Sequence, residues 1–340
     1  MRKLLNILYV TQPKAYIYKD GLNVVISIDQ KKVFRIPIIN IEGIVTFGYP
    51  GCSPGLMKLC MDYKVSLSFL TPQGSFIARV QGPQVGNVIL RKKQYQFSDN
   101  DISTLTTARH IIAAKIHNYR VILQRFTRDY SPLPELKSAI DKLLKFQRTA
   151  LEVTDKDSLR GTEGLAATTY FSVLPALITQ QKSDFKFNGR NKRPPKDAVN
   201  AMLSFVYTLL ANEITSALET VGLDAYMGIF HTLRPGRASL ALDLLEEFRA
   251  YLGDRFVLSL INRRQVTPSD FKPQGSDGII MTDDCRKKLV AAWQTRKREE
   301  IIHPYTKEKT PIGLLPYIQA LLLSRKIRGE ATEYVPFLIK

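Results

Sequence analysis

Cysteine is scarce in this sequence. Cys52, Cys60 and Cys285 make neither an even disulfide set nor a CxxC zinc pattern. Acid is scarce as well: 31 Asp plus Glu stand against 49 Lys plus Arg, for a formal net charge of +18. No uninterrupted apolar stretch approaches the roughly 18–20 residues that cross a bilayer. The amino terminus, Met1-Arg2-Lys3-Leu4-Leu5-Asn6, runs into strand-like alternation without an apolar signal core or a small-residue cleavage site. These absences set the expectation of a reduced, cytoplasmic protein that does not associate with membranes. P-loop, GxGxxG and HExxH patterns are missing too, which argues against a nucleotide hydrolase, a dinucleotide enzyme or a zinc protease.

What is present is ordinary globular material. The 340 residues are 44% hydrophobic and 24% charged, which excludes wholesale disorder and predicts two or three domains. The surplus of positive charge opposes self-association and favours polyanions, nucleic acid first among them.

The period of the apolar residues changes once along the chain. Residues 5–10, 15–18, 24–28, 33–39, 41–47, 65–70 and 75–80 alternate or carry β-branched side chains. Asp20-Gly21 reads as a hairpin turn, and Ser53-Pro54 as an N-cap followed by proline at the first helical position. From Leu105 onward the spacing is helical, through Ala108, Ile111, Ile112, Ile116, Tyr119, Leu123 and Phe126. It continues over 137–146, 159–177, 198–217, 239–252, 285–297 and 312–325. The expectation is an α+β multidomain protein: a small β-rich domain over 1–83, a linker over 84–99 and a larger all-α domain over 100–340.

Positive charge collects in two places. The 182–196 stretch, broken by Gly189 and Pro194-Pro195, reads as a basic loop able to follow a phosphate backbone or simply to sit in solvent. The 286–298 stretch around Trp293 reads as a helix with a wet basic face.

Glu163 is the first candidate for chemistry. At about 100° per residue it shares a helix face with Ala167, Tyr170, Leu174 and Leu177, so a carboxylate lies on an apolar stripe. Such a group must be paired, hydrogen-bonded, protonated or bound to a cation, and Arg160 is a nearby partner of the plain structural kind. The second candidate is His231, which precedes a basic Pro-Gly turn and a helix with a buried stripe of Leu240, Leu244, Leu245, Phe248 and Leu252. Asp243, Glu246 and Glu247 gather on the other side of that helix, where three acids repel unless cations or solvent intervene. An imidazole with carboxylate oxygens suits Mg²⁺ or Mn²⁺ better than zinc. His110 and His117 are about 10 Å apart along one helix and cannot share an ion; His303 precedes Pro304 in an extended turn. Ser239 reads as a helix cap.

These motifs resemble the CRISPR-associated spacer-acquisition integrase family, the larger subunit of the adaptation complex, and its type I members in particular. The resemblance spans nearly the whole chain. It includes Leu70-Thr71 with Gly74, Gly82-Pro83, Gly86-Asn87, Leu90-Arg91, and Ala114-Lys115-Ile116 with Asn118. It continues through Gly161-Thr162-Glu163-Gly164 with Ala167 and Tyr170, then Arg193-Pro194-Pro195, Asp197, Asn200-Ala201, Leu203-Ser204 and Tyr207. The most specific part is Gly228-Ile229-Phe230-His231 followed by Ser239-Leu240, Asp243-Leu244 and Glu246-Glu247-Phe248-Arg249. Gly313-Leu314-Leu315-Pro316-Tyr317 with Gln319-Ala320 completes it.

The resemblance implies a homodimer that works with a small ferredoxin-like partner subunit and inserts prespacer DNA into a CRISPR array. The implied reaction is attack of a prespacer 3′-hydroxyl on a repeat-boundary phosphodiester, with nuclease activity when water replaces the hydroxyl. It implies Glu163, His231 and Glu246 as ligands of Mg²⁺ or Mn²⁺, with Asp243 an auxiliary acid near the ion. Arg190, Arg193, Lys196, Arg237, Arg249 and Arg255 are candidate DNA-phosphate contacts, Arg249 having a pair with Glu246 as its alternative. The rival class is a non-catalytic architectural DNA binder, in which loss of Glu163 or His231 changes nothing.

Overall fold

The computed structural model describes all residues except 1–5, 13, 49, 73, 75, 83–87, 131–132, 192–193 and 276–277. The Gly82-Pro83 and Gly86-Asn87 punctuation and Arg193 therefore fall wholly or partly outside the described residues. The chain divides into two units, the first formed by Met1–Val85, Ile280–Ile301 and Thr310–Leu314.

In the first unit the alternating residues form strands as their period requires. They are β1 (Ile7–Val10), β2 (Ala15–Asp20), β3 (Asn23–Ile28), β4 (Lys31–Pro37), β5 (Gly43–Phe47), β6 (Gly51–Cys52), β7 (Ser66–Leu70) and β8 (Phe76–Val80). One sheet has the order β1-β5-β7-β8 and the other β4-β3-β2-β6. β2 and β3 turn on Gly21, whose φ of 59° is a left-handed conformation that glycine adopts without strain. Between β6 and β7, helix α1 (Pro54–Asp62) opens on Ser53, whose hydroxyl accepts the Leu56 N–H at 3.2 Å. Ile17, Val24, Ile38, Ile44, Leu56, Cys60 and Leu67 form the buried core. Burial pushes the Cys52 thiol up to about 11 and the Cys60 thiol to about 12, which favours the protonated form of each.

The second unit is helical, so the β-rich part followed by a helical part is the observed architecture. Its helices are α2 (Val88–Ser98), α3 (Asp101–Asp129), α4 (Pro134–Glu152), α5 (Lys156–Val173), α6 (Ala198–Val221), α7 (Ser239–Glu246), α8 (Arg255–Asn262) and α10 (Leu315–Arg328). Side-chain caps start three of them: Asn100 on α3, Asp155 on α5 and Asp197 on α6. Gly222, at φ 93°, ends α6. α6 is long and apolar enough to cross a membrane, but 67% of its apolar window is buried inside the protein.

Three expectations change. The stretch expected to be a linker, 84–99, carries α2 at Val88–Ser98. The basic 286–298 stretch is α9 (Asp283–Arg298), which belongs to the same unit as the amino-terminal strands. Its single tryptophan, Trp293, is 1% exposed, and Gln294 donates to the Ile7 carbonyl at 3.1 Å. A return of the chain after two hundred residues leaves no local signature. Lastly, the helix expected over 239–252 stops at Glu246 and continues as a wider π-type turn over Arg249–Asp254.

Candidate active site

Several segments of the helical unit meet at one cavity of about 640 Å³, whose walls include Lys115, Glu163, Arg190, His231, Glu246 and Arg249. α3 brings Lys115 and Tyr119 on its buried face. α5 brings Glu163, with the small Ala167 beside it and Tyr170 below.

The His231 loop is held by a single side chain. Asp243 is fully buried, and its Oδ2 accepts the Ile229 and Phe230 N–H groups at 2.6 and 3.0 Å. Its Oδ1 accepts the His231 N–H at 2.8 Å and stands 2.6 Å from His231 Nδ1. The carboxylate can only accept, so His231 Nδ1 is the donor of this contact and Nε2 is turned away from Asp243. Gly228 permits the approach: a Cβ there would stand 2.6 Å from the Ser239 Cβ and 3.2 Å from Asp243 Oδ2. Ser239 does not cap α7; its hydroxyl donates to the Thr232 carbonyl at 3.2 Å and ties the same loop to the helix. Asp243 thus backs the imidazole on its Nδ1 side, with both of its oxygens engaged by the His231 loop.

One turn on, Glu246 faces the cavity. Its Oε2 accepts from Arg249 Nε at 2.8 Å and lies 2.7 Å from Lys115 Nζ, while its Oε1 is 3.9 Å from His231 Nε2. Burial pushes this carboxyl up, but the charges of Arg249 and Lys115 outweigh burial and hold it well below the usual carboxylate range. Glu163 joins the group through Lys115, to which it is ion-paired, and not through Arg160, which pairs with Asp157. Among the described residues, no three His, Cys, Asp or Glu side chains converge as an ion-binding group. The Lys115 ammonium instead stands between the two glutamates. The chemistry of the donors fits a hard divalent cation: carboxylate oxygens, one imidazole with its tautomer fixed, and a carboxylate behind it.

The acids expected together on one face of α7 take separate directions. Glu247 turns away from the cavity, accepting from the Tyr334 hydroxyl at 2.5 Å, the Phe337 N–H at 2.7 Å and Gln319 at 2.9 Å. Burial pushes its carboxyl up to about 7 against those three donors. His110 and His117 meet the same carboxy-terminal stretch, at the Tyr334 and Ile339 carbonyls. His303 is buried and receives the Tyr305 and Thr306 N–H groups.

The basic candidates divide in the same way. Arg190 lines the cavity, donates to Asn200 and Ser204, and lies 5.4 Å from the Tyr207 ring centroid. Arg249 also lines it, with its guanidinium 4.7 Å from that centroid and its Nε on Glu246. Lys196 is exposed, Arg237 half-buried, and Arg255 exposed beside the Tyr251 ring; none of these lines the cavity. The loop around 182–196 is anchored by buried Phe185 and Phe187, leaving Lys182 and Lys186 exposed.

Lys115 is the residue that sequence reasoning passed over, although its signal was there: it lies four residues after Ile111 and four before Tyr119, an ionisable group on an apolar stripe.

The family model described as CRISPR associated protein Cas1 matches residues 8–295. The CRISPR-associated endonuclease Cas1 1 of Chlorobaculum tepidum is 48% identical over 340 residues, covering 99% of both chains. This chain belongs to the Cas1 family. Two solved structures share the Cas1 fold seen here. A casposase bound to integration product aligns with a TM-score of 0.83 at 20% identity, covering 97% of this chain and 93% of that one. A Cas6-RT-Cas1–Cas2 complex aligns with a TM-score of 0.85 at 23% identity. It covers 98% of this chain, which spans 36% of the length of that one.

Proposed function

We propose that this Cas1-family chain is a divalent-metal-dependent DNA endonuclease and integrase that inserts prespacer DNA into a CRISPR array. One observation carries the reading: Glu163, His231 and Glu246, distant in sequence, line a single cavity of a strongly basic protein. The names of its relatives support the same chemistry. Glu163, Glu246 and His231 Nε2 would hold Mg²⁺ or Mn²⁺, which supplies Lewis-acid polarisation of a phosphoryl oxygen and lowers the pKa of a bound nucleophile.

The chain's own residues do the rest. Asp243 keeps the His231 lone pair on Nε2. Arg249 and Lys115 keep Glu246 ionised, and so able to ligate, inside a buried wall. Arg190 and Arg249 place positive charge where a phosphodiester would enter, favouring the extra negative charge of the transferring phosphoryl group. A prespacer 3′-oxygen forms the new P–O bond while the array strand's oxygen leaves and takes a proton; with water as nucleophile the same exchange is hydrolysis. Lys196, Arg237 and Arg255 extend the basic surface for DNA, and Arg193, in the same basic stretch of sequence, is a further candidate contact. A homodimer, a small ferredoxin-like partner subunit and a cytoplasmic location complete the reading.

The test is strand joining of labelled prespacer into a CRISPR array, with the partner subunit and Mn²⁺ present. Glu163→Ala and His231→Ala each lower joining by more than about a hundredfold, the scale for losing one group aimed at developing charge. DNA binding in a gel-shift assay stays within a few-fold of wild type. Joining that survives either substitution rejects the site.

A further inference from the structure

Lys115 is 3% exposed on α3, among Ile111, Ile112, Ile116 and Tyr119, all buried. A buried ammonium is retained only when paired, and this one is paired twice, to Glu163 on α5 and to Glu246 on α7. The pairing uses one oxygen of each acid, Oε1 of Glu163 and Oε2 of Glu246. Among the described residues, neither of the other two oxygens accepts a hydrogen bond, and Glu246 Oε1 faces His231 Nε2. Three donor atoms are thus left open beside a cation that already neutralises part of their charge.

We propose that Lys115 is a positioning residue, the resident cation of the Glu163–Glu246 pair: it clips one oxygen of each acid, presents the others with His231 Nε2, and weakens divalent-metal binding by its charge. The proposal rests on the metal reading above. Without the ammonium, two carboxylates face one another across the cavity wall and repel. With it, the acids stay in place before an ion arrives, and the ion binds against a nearby positive charge, so that it is held loosely.

The experiment titrates Mn²⁺ into DNA-free protein by calorimetry and measures thermal midpoints without metal. Lys115→Met, similar in length but neutral, binds Mn²⁺ about tenfold or more tightly than wild type. Lys115→Arg keeps the charge and stays within about threefold of wild type. In metal-free buffer Lys115→Met lowers the midpoint, and adding Glu163→Gln, which removes one of the repelling charges, recovers it. A merely structural lysine gives a lower midpoint with unchanged or weaker Mn²⁺ binding, and either result overturns the proposal. Should Lys115→Met alone fail to fold, recovery by the double variant supports the pairing, and no recovery overturns it. Wild-type protein that binds no Mn²⁺ defeats the metal reading instead, while the metal-free midpoints still decide whether Lys115 holds the acids.

Discussion

Glu246 and Glu247 are neighbours in the chain, both are buried, and their surroundings are opposite in kind. Glu246 looks toward Lys115 and Arg249, with His231 beside it, and the two cations keep it ionised despite burial. Glu247 looks toward a hydroxyl, an amide and a backbone N–H, with no cation among them, and burial pushes it up to about 7. The lesson is that burial alone does not set the state of a carboxylate; the charge of its neighbours does. One of the pair faces a cavity and a candidate ion. The other is a fastener for the carboxy-terminal stretch.

The contrast breaks most visibly under a change of pH. Between its ordinary value of 4.5 and about 7, Glu247 binds in the folded chain a proton that the unfolded chain has released. Stability from this group is therefore whole below about 4.5 and falls as pH rises toward 7, by about 3 kcal/mol in total. Urea unfolding from pH 4 to 8 measures the decline, and Glu247→Gln flattens it. An unaltered slope in that variant means that Glu247 is not its source.

The cavity side is sharpened by Asp243→Asn. The amide keeps one acceptor oxygen for the loop, yet its NH₂ group cannot accept from His231 Nδ1–H. The imidazole then loses its tautomer control, and Mn²⁺ affinity measured by calorimetry falls about 10–100-fold, as is typical when a group behind a metal ligand is lost. An affinity equal to wild type would leave Asp243 as a loop anchor only. The smallest effect belongs to Arg160→Ala. Its partner Asp157 is 88% exposed, so the variant shifts stability by less than about 0.5 kcal/mol. Mn²⁺ affinity stays at the wild-type level, because Glu163 is paired elsewhere.

Much of this was legible beforehand, and the reason is local. Alternation marked the strands, Ser53-Pro54 marked the start of α1, and a carboxylate on an apolar stripe marked Glu163. Each of those signals lies within a few residues. What escaped was set by distance or by where a helix ends. No residue near 290 indicates that α9 joins strands made two hundred residues earlier. Glu246 and Glu247 were grouped on one side of a continuing helix, whereas α7 ends at Glu246 and the next side chain turns to different partners. Lys115 was read as one residue of a motif, since only the fold reveals that two acids from two other helices meet it. Asp243 was placed near the ion by its spacing on the helix; that backbone N–H groups of the 229–231 loop engage its oxygens is visible only in the fold.

The order in which the chain is made bears on α6. This helix of 24 residues is the most apolar in the protein, and α7 and α10, which pack on it, are encoded after it. A growing polypeptide therefore delivers a span-like segment into water before the elements that shelter it exist.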